Sequence, residues 1–383
     1  MGKSNIHVIV ISSVRPEPTS AGQILLHRHL VDRPGITMEV YGTEPRVLSA
    51  SSLVRRLVGR LCGTRWHFLT ESFWVLWQGR WLDPLLPKHV ENPERTVVLT
   101  VAHGDGCYAA QRFAKKHQLP LVSFFHDWWP EIPPVHRSCR KSIDESFHKL
   151  YTASQAALCV SEKMREDLGP HPNAVILPPI PASDSARGSP ERAADPCRFR
   201  LLCSGNLAEY GPMLGDALEA TLGEPGLLLQ VRGSNPQWPA KTRDRMKENG
   251  CWLEFAPRAE LDAWLRSADA FLIPMVFEPA MRRRMQTSFP SKLIEFSQFG
   301  KPLVIWGPDD CSAIRWGRQN NRAICVTDPD PVAIVGAFRR LAESTSEQLY
   351  YSNATVEVAR GEFNPARIQE QFVRALSRCC SVG

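Results

Sequence analysis

Ile6–Ser12 reads Ile-His-Val-Ile-Val-Ile-Ser, apolar on both faces of an extended strand. Such a strand needs cover on both sides, which a parallel sheet flanked by helices provides. The signature recurs at Val97–Ala102, Leu121–Phe125, Ala157–Val160, Phe199–Cys203, Leu227–Arg232, Ala270–Pro274 and Leu303–Trp306. Shorter strands are expected at Met38–Tyr41, Ala174–Leu177, Trp252–Phe255 and Ile324–Thr327. Between them fall stretches of helical character: Gln23–Leu30, Cys107–His117, Ser142–Ala153, Pro212–Thr221, Leu261–Ser267 and Val332–Ser344. This alternation predicts an α/β, doubly wound fold.

A chain of 383 residues exceeds one ordinary domain. The pattern stops at 181–196, rich in Pro, Ser, Ala and charge, and then restarts. We expect an N-terminal domain over 1–180, a linker over 181–196, a C-terminal domain over 197–364 and a helix within 365–383.

Net charge is +6, which suits anionic small molecules or a membrane surface and gives no indication of nucleic acid. Eleven cysteines lack metal-like spacing, so reduced thiols are expected. No apolar run reaches the roughly 18 residues of a membrane span. Met1-Gly-Lys-Ser-Asn5 leads straight into a strand, so no signal peptide and a cytoplasmic location are expected. Residues 51–89 break the pattern. Leu53, Leu57 and Leu61 repeat at helical spacing among Arg55, Arg56, Arg60, Arg65 and Arg80, with Trp66, Trp74, Trp77 and Trp81. That composition suits peripheral contact with an anionic membrane, here the inner face, or else a helical insertion with a Trp-rich core.

Ser288–Ile305 carries the most chemistry. Pro290 and Ser291 suit a helix start, with Ser291 as cap and the free N–H groups behind it as an anion site. Leu293, Ile294 and Phe296 supply an apolar face, Gly300 stops the helix, and Pro302 begins the next strand. Glu295 falls about one turn inside, where it can meet a ribose.

"FPSKLIE" followed by "GKP" in this segment resembles the nucleotide-sugar clamp of family-4-like retaining glycosyltransferases with the GT-B fold. Further landmarks agree in order: Pro18–Gly22, Phe124–Glu131 (FFHDWWPE), Cys159–Leu168, Ser204–Gly211 and Leu253–Pro274. "HDWWPE" is similar to the signature of a sub-group that transfers amino sugars in polysaccharide assembly. The resemblance spans roughly residues 6 to 305. It implies two Rossmann-like domains facing each other across a cleft, with a last helix that often crosses back to the first domain.

The implied activity is hexosyl or N-acetylhexosaminyl transfer from a nucleotide sugar, with retention, no cofactor and no metal. Acceptors would be a glycan, a lipid-linked intermediate or a small molecule. Gly22, Gly205, Asn206, Arg232, Ser288, Ser291, Lys292 and Glu295 are the candidate donor residues. His126 and Asp127 are the candidate catalytic pair, and His103, Asp105 and Glu131 the acceptor side. Two departures stand out. Ser288 occupies the position of a Glu seven residues before the ribose Glu, and Glu278 has the wrong spacing to replace it. The turn Gly205–Tyr210 lacks the usual Arg and Lys, for which Arg232, Arg282, Arg283 or Arg284 are candidates. These departures keep open a catalytically degenerate partner protein or scaffold. A nucleotide-sugar 2-epimerase is a further alternative. A Rossmann oxidoreductase is disfavoured because no G-x-G-x-x-G follows Ile6–Ser12. Asp328-Pro-Asp330 reads as a turn and helix cap rather than a metal motif.

Overall fold

The computed structural model describes residues 6–19, 21–42, 64–182, 198–234 and 236–380. The chain divides into two compact units, Met1–Pro178 with Gln369–Gly383, and Pro179–Ile368. The expected linker lies outside the described residues from 183 onward, as do Leu53, Leu57 and Leu61.

Unit 1 holds a parallel sheet of β1 (Ile6–Ile11), β2 (Ile36–Tyr41), β3 (Thr96–Val101), β4 (Leu121–Phe125), β5 (Ala156–Cys159) and β6 (Ala174–Ile176), ordered β2-β1-β3-β4-β5-β6. Val8 of β1 pairs with Met38 of β2 and Val97 of β3. Flanked on both edges and both faces, β1 must be apolar throughout, which is why its run is so legible. β2, at the sheet edge, alternates between exposed and half-buried side chains. Helices Ala21–Leu30, Gly106–His117, Arg140–Ala153 and Glu162–Leu168 accompany the sheet. Phe125 meets Phe147 and Tyr151 edge-on at 5.2 and 5.4 Å in its core.

The last helix, Pro365–Cys380, buries Phe372 and Leu376 completely. Phe372 stacks on His29 at 4.3 Å. Gln369 Nε2 donates to the His29 carbonyl at 3.0 Å, and its Oε1 lies 2.8 Å from His29 Nδ1. A carbonyl only accepts, so the amide nitrogen must face it. His29 therefore carries its proton on Nδ1 and donates to Gln369.

Unit 2 holds β7 (Phe199–Asn206), β8 (Leu227–Ser234), β9 (Trp252–Leu253), β10 (Ala270–Pro274), β11 (Leu303–Trp306) and β12 (Ile324–Val326), ordered β12-β11-β10-β7-β8-β9, again parallel. Successive strand residues feed opposite layers. Ala270 and Leu272 join Val304 and Trp306 on one side, packed with Leu214, Leu218 and Phe338 from helices Gly211–Thr221 and Pro331–Glu343. Phe271 and Ile273 join Leu303 and Ile305 on the other, packed with Trp264, Phe296 and Ile314 from helices Arg258–Arg266, Ser291–Ser297 and Ser312–Arg318.

Asp330 caps Pro331–Glu343 by accepting from the Val332 amide at 2.9 Å, and Asp328 accepts from the Asp330 amide. The Asp-Pro-Asp motif is thus the turn and cap the sequence suggested. Helices Ala240–Glu248, Arg282–Thr287, Ser312–Arg318 and Thr345–Arg360 were not anticipated. The nine described cysteines are free thiols.

Burial lowers the His29 pKa to about 3, with help from the positive charges of His126, Arg33 and Arg28, and outweighs the Gln369 hydrogen bond. The folded pKa is depressed below the ordinary value of 6.5. The unfolded chain therefore binds a proton that the folded chain refuses, and stability falls as pH drops from about 6.5 toward 3. The urea midpoint should fall between pH 7 and pH 4.5, and fall less in His29→Gln. An equal fall in the variant would contradict this assignment.

Candidate functional site

In unit 2 the chain runs from β7 outward to β8 and β9, then returns to the other side of β7 as β10. Loops leaving the carboxyl ends of β7 and β10 diverge there and leave a crevice, where open parallel sheets take ligands. Gly205 and Asn206 end β7 at that edge. Gly205 has φ +147, and a Cβ built on Gly233 would come within 1.8 Å of the Gly205 carbonyl oxygen. Gly233 must be glycine for the two strand ends to lie this close, and Gly205 for its positive φ.

The helix Ser291–Ser297 approaches the same edge. Its aromatic Phe296 stacks on Phe271 of β10 at 4.5 Å, which fixes the helix on the sheet. Lys292, one turn earlier, sends its Cε to 3.6 Å from where a Gly205 Cβ would stand. Its charge counters part of the burial that pushes the Cys203 thiol up to about 12. The side chain is therefore turned inward over the end of β7. Glu295 is half-buried on the same helix.

The expectation that Ser291 caps this helix is corrected. Pro290 holds the cap position, with extended backbone, and Ser291 is the first helical residue, with no side-chain cap bond. Proline at the cap cannot offer the oxygen that a Ser would. The helix is seven residues long, ends at Ser297, and Gly300 follows with φ +64.

Other donor candidates are less open. Arg232, at the end of β8, pairs with Glu260 at 2.8 Å and lies over Trp264 at 5.4 Å. Asn206 accepts from the Ala208 amide at 3.2 Å, so its side chain shapes the turn. Ser288 closes the helix Arg282–Thr287, and its carbonyl accepts from the Ser312 hydroxyl. Arg282–Arg284 form that helix rather than a solvated loop. Arg282 and Gln286 hold Asp310, and Arg284 bonds Glu209 at 2.6 Å, so the helix is tied to the turn after β7. Glu278 precedes the short turn Pro279–Met281. Sequence reasoning missed the Arg284–Glu209 and Arg282–Asp310 pairs, because partners 75 and 28 residues apart leave no local pattern.

In unit 1 the strand order reverses between β1 and β3. Their ends meet closely. Gly106 N donates to Ser13 Oγ at 3.3 Å, and a Cβ on Gly104, at φ +75, would fall 2.5 Å from that oxygen. Ser13 was not singled out from sequence. The paired glycines around Asp105 were its signal. Asp105 is wholly buried and accepts from Trp81 Nε1 at 2.9 Å. His103 packs on Trp129 at 4.6 Å. His126, just beyond β4, packs edge-on against Phe124 at 4.2 Å. Its Nε2 is sealed from solvent with no hydrogen-bond partner among the described residues. Burial lowers the His126 pKa, Asp127 opposes that, and His103 adds to it, so the ring is neutral at neutral pH. Glu131 is exposed in the short turn Trp129–Glu131. Gly22 sits in helix Ala21–Leu30, where an added Cβ would make only ordinary contact with Val14 at 3.7 Å. Among the described residues no cluster of His, Cys, Asp or Glu could hold a metal ion, and no helix is long and apolar enough to cross a membrane.

No family model matches the sequence, and neither does any curated protein. Solved structures match over nearly the whole chain. The N-terminal domain of Candida albicans trehalose-6-phosphate phosphatase superposes with TM-score 0.63 and 11% identity, over 97% of this chain and 97% of that one. A glycosyltransferase from Rickettsia africae gives 0.63 and 11%, over 99% and 100%. Anabaena HepE in complex with UDP gives 0.60 and 13%, over 97% and 100%. The fold class is GT-B. At such identities the likeness concerns the fold alone.

Replacing Gly233 by Ala should force β8 away from the Gly205 carbonyl and destabilise unit 2 by about 1–3 kcal/mol, the usual cost of overpacking. Urea unfolding reads this directly. A loss below about 0.5 kcal/mol, the range of neutral surface changes, would show that the two strand ends are not packed this tightly.

Proposed function

We propose that the protein is a glycosyltransferase moving a hexosyl or N-acetylhexosaminyl group from a nucleotide sugar to an acceptor hydroxyl, with the anomeric configuration kept. The observation that carries this reading is the inward-turned Lys292 at the strand-order reversal of unit 2, beside the glycine pair that brings β7 and β8 together. HepE, of like fold, has been solved with UDP and with UDP-glucose. A cation turned over the glycine end of β7 suits a diphosphate.

In the proposed reaction the acceptor oxygen bonds the anomeric carbon, and the bond from that carbon to the diphosphate breaks. A diphosphate oxygen takes the acceptor proton on the same face. The products are the glycoside and a nucleoside diphosphate. Charge grows on the leaving group, where the Lys292 ammonium lowers its energy. Glu295 accepts from the ribose hydroxyls. On the acceptor side, His126 is neutral, and its Nε2, sealed in the resting structure, would accept from a sugar or acceptor hydroxyl only where binding opens its cover. His103, Asp127 and Glu131 stand near the same strand ends. Asp105 acts through the backbone it holds, since its carboxylate is buried against Trp81. A role in cell-surface polysaccharide or glycoconjugate assembly, at the cytoplasmic side of a membrane, fits this chemistry.

A second reading is a catalytically degenerate partner protein. It is favoured by Arg232, whose guanidinium is held by Glu260, and by the uncharged Ser288. Such a protein would bind the nucleotide and turn nothing over.

Thermal denaturation with nucleoside diphosphates separates these readings from no nucleotide site at all. UDP at about 100 times its Kd should add about 2.7 kcal/mol of stability, a shift of several degrees. Glu295→Ala should shrink the shift. An unchanged shift would remove Glu295 from the site. Anomer analysis of product from a donor panel then distinguishes transfer with retention from binding alone.

A further inference from the structure

The helix His67–Trp77 in unit 1 turns a large apolar strip to solvent. Leu69, Phe73 and Leu76 are 46, 51 and 50% exposed, and Trp66, just before the helix, is 44% exposed. These positions fall within one sector of a helix with 3.6 residues per turn. The opposite side buries Trp74 and Val75 in the core. Glu71, the helix's acidic residue, lies about 180° from the strip, beside His67. Arg65 and Arg80, both exposed, bracket the strip, and Arg65 lies over the Trp66 ring at 5.1 Å.

We infer that this helix face docks unit 1 on an anionic lipid surface. Trp, Phe and Leu flanked by Arg is the composition that rests at a bilayer interface, with rings at headgroup level and cations at the phosphates. A second copy of the chain fits poorly. Two-fold pairing along this helix would set Arg65 against Arg80 when antiparallel, and each Arg against its own counterpart when parallel. An 11-residue helix, about 16 Å long and about 10 Å wide, presents a face on the order of 160 Å², short of the ~800 Å² per partner of a stable interface.

The docking face is coupled to the strand ends of unit 1. Just beyond the helix, Gly79 lies so close to the Asp105 carbonyl that a Cβ would come within 2.4 Å, and Trp81 bonds the Asp105 carboxylate. Ser72, on the helix itself, accepts from the His136 amide at 2.8 Å, which ties it to the segment following His126. The helix that carries the docking face is thereby joined to Asp105 and to His136. If the transferase reading holds, on which this last step rests, the acceptor is a lipid-anchored hydroxyl compound.

Co-sedimentation of the full chain with vesicles tests the docking independently of catalysis. Binding is expected to vesicles of phosphatidylglycerol and phosphatidylcholine, and to fall at least about tenfold on pure phosphatidylcholine. Phe73→Glu with Leu76→Glu should abolish it. Arg65→Glu with Arg80→Glu should weaken it while leaving the apolar strip intact. The UDP thermal shift, measured on the same proteins, should be unchanged in all variants, so loss of docking is distinguishable from loss of the nucleotide site or of the fold. Absence of vesicle binding would overturn the inference. So would equal binding by the Phe73/Leu76 variant, or a dimer of the parent chain that this variant dissolves.

Discussion

The pairing of β7 with β10 is the constraint on which the chemistry of unit 2 depends. Leu201 and Leu202 lie against Ala270 and Phe271, so strands far apart in sequence become neighbours and the loops leaving them part. Backbone pairing thereby creates the crevice, and side chains furnish it. Phe271 then carries Phe296, Phe296 fixes its helix, and that helix delivers Lys292 to the end of β7. Removing a ring from that chain would misplace a cation several residues away without touching any ligand.

The same logic governs unit 1 with different materials. There the strand-end contact is Ser13 against Gly104 and Gly106, and the buried Asp105–Trp81 bond holds the insertion beside it. The insertion spends its inner face on core packing and leaves its outer face apolar. An apolar outer face is unfavourable in water unless something covers it.

Strands were the legible part of the sequence, for a physical reason. Buried parallel strands such as β1, β4, β10 and β11 must be apolar on both faces, and no surface helix shares that signature. Thr345–Arg360 and Ala240–Glu248 escaped because few of their side chains are buried, leaving little apolar periodicity to read. Arg282–Thr287 looked like a basic loop, and its helix rests on Glu209 and Asp310, far away in sequence. In the candidate site, the helix that carries Lys292 and Glu295 was legible from local motif context. The role of Ser291 was misjudged by one position because Pro290 takes the cap. The engagement of Arg232 by Glu260, and of Asp105 by Trp81, depends on tertiary neighbours that no spacing rule reports.

The central claim is that the strand-order reversal of unit 2 holds a nucleoside diphosphate against Lys292. A crystal structure of the full chain with UDP tests it most directly. The account predicts the diphosphate at the carboxyl ends of β7 and β10, within hydrogen-bonding distance of Lys292, with the ribose at Glu295. UDP ordered elsewhere, or a diphosphate out of reach of Lys292, would contradict it.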